Sequence, residues 1–90
     1  MTPTATLTAA HPVTALTEVI LDVLVTKYEA PAGTTPDTNF ERLGYDSLVL
    51  VEVAVDLSRR FGTEITDDEL HQAGSVAEAA RVLAARGVRA

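Results

Sequence analysis

The strongest constraint on the fold is the spacing of apolar residues in the run NFERLGYDSLVLVEVAVDLSRRF, Asn39 to Phe61. After Ser47, the residues Leu50, Ala54, Leu57 and Phe61 recur at intervals of four, three and four, which puts them on one face of a helix with Val53 at its margin. A strand competes for the same segment, because Val49, Val51, Val53 and Val55 alternate with Leu50, Glu52, Ala54 and Asp56, and β-branched side chains suit a pleated surface. That strand would set Glu52 and Asp56 on one face with Leu50 and Ala54. The helical face is apolar throughout, so the pattern predicts a helix from near Ser47 to Phe61. Gly62 then supplies a stop, and Arg59 and Arg60 in the last turn complement the negative end of the helix dipole.

The rest of the chain offers partners of the same kind. Pro12 can open a helix in which Val13, Leu16, Ile20, Val23, Leu24 and then Lys27 or Tyr28 recur with helical period, giving a first helix from Pro12 to Tyr28. The segment APAGTTPDTN, Ala30 to Asn39, ends it with two prolines and a glycine. A loop this long in so small a chain needs anchoring, and Phe40 and Leu43 are the apolar groups at its far end. Thr66-Asp67-Asp68-Glu69 has capping-box form and starts a short helix through Leu70 and His71. Ser75-Val76-Ala77-Glu78 repeats the device and opens a last helix with Val76, Ala79 or Ala80, and Leu83 inward, ending near Arg86 and Gly87. With two Phe, two Tyr and no Trp, the interior must be built from Ala, Val and Leu. The expected fold is all-α: a four-helix bundle of three longer helices and one short one, with a long first loop. Residues 1–11 are expected to be a flexible tail, 12–86 the domain and 87–90 a second tail.

Charge and inventory then exclude whole classes of function. Between Asp37 and Glu69 stand nine acids against Arg42, Arg59 and Arg60, which accounts for the entire net charge of −6; the other four acids are balanced by four bases. Such a field is a poor match for nucleic acid and suits either solubility or the steering of basic partners toward this region. There is no cysteine, so any thioester chemistry needs an imported thiol. A nucleophile elbow needs glycine two residues either side of its serine, where Tyr45 and Val49 stand. His11 and His71 are the only imidazoles and no pair has metal-ligand spacing. Asp37, Asn39 and Glu41 alternate as at the start of a calcium loop, but Arg42 replaces the required glycine and Leu48 the closing glutamate. The longest apolar run, Val19 to Val25, is interrupted by Asp22 and too short to span a membrane, and residues 1–10 carry no Lys or Arg. A cytoplasmic monomer without catalytic machinery, nucleic-acid partner or membrane span is expected.

On local chemistry alone, Ser47 has two readings. It can be a capping hydroxyl at a helix start, a role shared with Asp46, or an accessible hydroxyl on a rigid mount. The run Leu43-Gly44-Tyr45-Asp46-Ser47-Leu48 resembles the attachment motif of acyl carrier proteins, in which the serine after Asp carries a 4′-phosphopantetheine arm. The resemblance extends from about Val13 to Leu83. In the family an acidic residue and a phenylalanine precede the motif, as Asp37 and Phe40 do here, and the Ile65-Thr66-Asp67-Asp68 segment and the Ser75 to Leu83 helix follow in the same order.

The resemblance implies a prosthetically modified carrier, not an enzyme. Ser47, flanked by Asp46 and Leu48, would accept 4′-phosphopantetheine from coenzyme A through a phosphopantetheinyl transferase, and the arm would hold acyl or polyketide intermediates. On a helix wheel Leu48, Val51 and Val55 form a second apolar stripe roughly a third of a turn from the core face, with Glu52 and Asp56 beside it. The positions of Leu48, Val51, Glu52 and Val55 match those through which acyl carrier proteins meet acyltransferases, ketosynthases and other pathway enzymes, and Asp56 is expected to join that partner surface. The Gly-Tyr-Asp-Ser-Leu form resembles discrete carriers of bacterial polyketide pathways, which points to antibiotic-type biosynthesis, and Arg59 and Arg60 depart from the acidic helix end usual in fatty-acid carriers. The alternatives are a standalone aminoacyl or peptidyl carrier of a hybrid pathway, and an unmodified acidic helical adaptor in which Ser47 only caps.

Overall fold

The computed structural model describes residues 12–90; the expected tail at 1–11, with His11, lies outside the described residues. Four helices follow one another: α1, Pro12–Lys27; α2, Ser47–Phe61; α3, Asp67–Ala73; and α4, Val76–Ala85. Among the described residues there is no strand, only an isolated antiparallel bridge between Asn39 and Ser75. The all-α four-helix expectation holds, and so does the helical reading of 47–61 against its strand rival. None of the described helices is long and apolar enough to cross a membrane.

Helix ends follow from local chemistry. α1 stops within a residue of the expected end because Glu29 takes a left-handed backbone (φ 55°) and the amide of Ala30 turns back to Leu24 O at 3.1 Å, a Schellman-type stop made without glycine. α2 ends on Gly62, whose φ of 66° frees its amide to reach Ser58 O. The Thr66 capping box is complete, the hydroxyl taking the Glu69 amide and the Glu69 carboxylate taking the Thr66 amide. At α4 only half of the expected box is made. Ser75 Oγ accepts the Glu78 amide at 3.3 Å, while the Glu78 carboxylate pairs instead with Arg81 one turn on.

The core takes Leu16, Ile20, Val23 and Leu24 from α1, Leu50, Val53, Ala54 and Leu57 from α2, Leu70 from α3, and Val76, Ala79, Ala80 and Leu83 from α4. Each such large aliphatic contributes roughly 1.5–3 kcal/mol on burial, set against the ordering entropy of the chain. α4 buries both Ala79 and Ala80, small side chains that let it pack closely against α1, while α3 bridges α2 and α4. Phe61 is only half-buried at the end of its face. Val88, beyond the expected domain end at 86, is also buried, and its amide caps the last helix at Leu83 O, 3.0 Å.

The long loop from 28 to 46 is pinned at both ends. Phe40 is buried, as its position predicts, and Leu43 is half-buried. The backbone adds what side chains alone do not: Phe40 N donates to Gly74 O at 2.8 Å and Ala77 N to Pro36 O at 2.9 Å, fastening the loop to the α3–α4 junction. Tyr45 completes the anchorage, with its ring in the core and its hydroxyl donating to Tyr28 O at 3.0 Å.

Candidate functional site at the start of the second helix

A tight turn delivers the chain into α2. Successive bonds from Arg42 N to Asn39 O, Leu43 N to Phe40 O and Gly44 N to Glu41 O wind residues 39–44, and Gly44 leaves the turn at φ 79°, a region that a side chain resists. Asp46 then takes extended backbone, and its carboxylate accepts the Val49 amide at 3.0 Å. Asp46 is therefore the N-cap, and Ser47 is the first residue of the helix proper. Ser47 is exposed, and among the described residues no hydrogen bond engages its hydroxyl. Capping does not account for Ser47.

The stripe expected beside it is exposed: Leu48 is 69% accessible, Val55 48% and Val51 41%. Val25 and Val82 are comparably accessible on other helices, so exposure alone marks nothing. What sets the α2 residues apart is that three of them share one face with exposed Glu52, within two turns of Ser47. The sequence-predicted residues Asp46, Ser47, Leu48, Val51, Glu52 and Val55 are thus gathered on one accessible surface.

Asp56 is placed differently. Its carboxylate accepts from Tyr28 OH at 2.9 Å and from Lys27 Nζ at 3.0 Å, joining the end of α1 to α2. Lys27, then Tyr28, hold Asp56 below the usual carboxylate range. Burial, followed by the bond to Asp56, pushes the Tyr28 phenol up to about 12. Asp56 is a structural tie as well as a member of the acidic surface.

Two clefts open at Ser47 that sequence reasoning did not find. One, of about 330 Å³, has buried Phe40, Tyr45 and Leu50 against it and exposed Glu41 and His71 at its edges. A smaller one, of about 150 Å³, lies between Ser47 and Leu50 on α2 and Asp67, Asp68 and His71 on α3. His71 stands 24 positions from Ser47 and comes to its side only because α3 folds back on α2. No spacing rule signals that.

The arrangement offers an exposed primary hydroxyl on a rigid helix start, with an acidic and apolar face beside it and no metal-holding group of His, Asp and Glu among the described residues. A phosphodiester could be seated there without displacing a protein contact, so the residues present fit a group attached through phosphate.

Comparison with known proteins places the chain in a family. Residues 15–83 match the family described as the phosphopantetheine attachment site. The mitochondrial acyl carrier protein of Dictyostelium discoideum is 37% identical over 65 residues, covering 70% of this chain and 53% of that protein. The actinorhodin polyketide synthase acyl carrier protein of Streptomyces coelicolor is 49% identical over 37 residues, 41% of this chain and 43% of that protein. The chain spans about half the length of the curated relatives it matches. No solved structure matches it. The chain belongs to the acyl carrier protein family, carrier proteins rather than catalysts, whose prosthetic group is 4′-phosphopantetheine.

Proposed function

We propose that Ser47 bears the 4′-phosphopantetheine arm and that the protein carries acyl intermediates of a polyketide pathway. The observation that carries the attachment is the division of labour at the helix start: Asp46 caps, and the Ser47 hydroxyl stands exposed and, among the described residues, unengaged. When bound, the arm supplies a terminal thiol that holds the acyl group as a thioester. This chain's own residues hold the arm's root on a fixed helix end. The arm's reach then raises the cargo's effective concentration at each partner.

Leu48, Val51, Glu52 and Val55 are the surface that partners meet: a phosphopantetheinyl transferase first, then acyltransferase, ketosynthase or other synthase enzymes. A small apolar patch edged by acid suits transient docking. Asp56 contributes its charge from the far end of that surface while tied to α1. The polyketide assignment rests on Tyr45 within Gly-Tyr-Asp-Ser-Leu and on the partial likeness to the actinorhodin carrier. A cytoplasmic setting is part of this reading.

Intact-mass spectrometry after incubation with coenzyme A and a promiscuous phosphopantetheinyl transferase tests the attachment. One arm mass on wild type and none on Ser47→Ala is the expected result. An arm on Ser47→Ala would transfer the assignment elsewhere. Acceptance of malonyl groups from a polyketide acyltransferase, set against aminoacyl groups from an adenylating enzyme, tests the cargo class.

A further inference from the structure

We infer that His71 is a positioning residue for the arm: its imidazole, on α3, donates a hydrogen bond to the phosphodiester at Ser47 and so holds the arm's root toward the cleft between α2 and α3. This rests on Ser47 being the attachment residue. His71 and Ser47 line the same two clefts, and among the described residues of both linings His71 is the one side chain able to carry a positive charge. The other charged or titratable groups facing it there are Glu41, Tyr45 and Asp46 from the loop and cap, and Asp67 and Asp68 from its own helix, one turn before it. Burial, then the charge of Glu29, pushes the Tyr45 phenol up and so keeps it neutral.

The electrostatic consequence is direct. A phosphodiester adds one more negative charge to a mouth already edged by four carboxylates, and among the described residues lining it the imidazole is the only side chain that can carry the opposite charge. Imidazole is, as a class, the side chain whose charge changes in the physiological range. Among the described residues no hydrogen bond or ion pair already occupies the His71 ring, which is exposed. Nothing has to be broken for it to turn to the phosphate.

The test uses the loaded protein, with the arm mass on Ser47 confirmed first, and follows its phosphorus resonance from about pH 5 to 7.5. A phosphodiester does not titrate there, carboxylates as a class ordinarily titrate lower and phenols higher, so an inflection reports a neighbouring imidazole. Wild type is expected to show the inflection and His71→Gln to lose it, with Overhauser contacts between the His71 ring and the arm's methylene next to phosphate. A flat profile in fully loaded wild type, or the same inflection in His71→Gln, overturns the contact alone. Failure of Ser47 to gain the arm mass overturns the attachment assignment and the contact with it. Circular dichroism of His71→Gln is expected to match wild type, because the ring is exposed.

Discussion

Two serines stand at two helix starts, and a shift of one position separates their roles. Ser75 is the N-cap of α4; its hydroxyl accepts the Glu78 amide, and its backbone pairs with Asn39 to hold the long loop. Ser47 follows an N-cap, because Asp46 already takes the Val49 amide, and its own hydroxyl is left facing solvent. Thr66 at α3 behaves like Ser75. A hydroxyl at the cap is consumed by the first free amides of the helix, whereas one at the next position, behind a carboxylate cap, stays available for chemistry. The difference between a capping serine and an exposed, unengaged one is thus set by who caps the helix, not by the serine itself.

Removing the Ser47 hydroxyl gives the sharpest break. Ser47→Ala is expected to abolish loading completely while shifting stability by no more than a few tenths of a kcal/mol, because no capping bond is lost. Intact mass and a urea midpoint on the same sample read both; partial loading or a large loss of stability would erase the contrast.

Next in size is Phe40→Ala, which strikes the segment joining the two helix starts. Removing this buried ring is expected to cost about 3–5 kcal/mol, a large share of the stability of so small a domain. A melting midpoint equal to wild type would show that the backbone bonds from 36–40 to 74–77 hold the loop unaided.

Ser75→Ala should then cost about 1 kcal/mol, with loading at the wild-type extent. The measurement is again denaturant midpoint beside arm mass, and loss of loading in this variant would mean that the α3–α4 junction shapes the Ser47 site more than the comparison allows.

A subtler effect is expected from Glu52→Lys, which leaves both caps intact and reverses a charge on the docking face. Transfer of the arm should slow severalfold at low salt, with the gap narrowing as salt rises, since exposed charge acts on encounter. Equal rates at every salt concentration would remove the acidic surface from partner steering.

The smallest change concerns pH. Asp56 lies below its usual range when folded, so its contribution is complete above about pH 4 and is lost as pH falls through the folded value. Tyr28 is pushed up to about 12, so its contribution is complete below about pH 10 and lost as pH rises toward 12. Asp56→Asn should flatten the acid limb and shrink the alkaline one, by under about 1 kcal/mol because Lys27 is half exposed. Unchanged stability profiles would show the Lys27–Tyr28–Asp56 tie to be energetically idle.

Much of this was legible along the chain. The core faces of all four helices follow from apolar spacing, since residues three and four apart share a side whatever lies beyond. Caps at Thr66 and Ser75 and the stop at Gly62 are equally local, because the groups that satisfy one another sit within four residues. Glu29 was harder to read: left-handed backbone at a non-glycine residue ends α1, and only the 6→1 bond from Ala30 to Leu24 shows why it is tolerated. The reciprocal half of the Ser75 box fails for a competing reason also within reach of sequence, since Arg81 lies one turn beyond Glu78 and takes its carboxylate.

By itself, then, the sequence determined the helices, their inward faces and the motif around Ser47, all properties of residues a turn or two apart. Tertiary structure decided the rest: that Asp56 is tied to Tyr28 and Lys27, that Val88 closes the core, that the loop reaches Gly74 and Ala77, and that His71 comes beside Ser47. These pairings join groups distant in the chain, apart from Val88, whose burial depends on how α4 ends. Each is fixed by how the helices and their ends pack, and packing responds to the whole core at once rather than to any local interval.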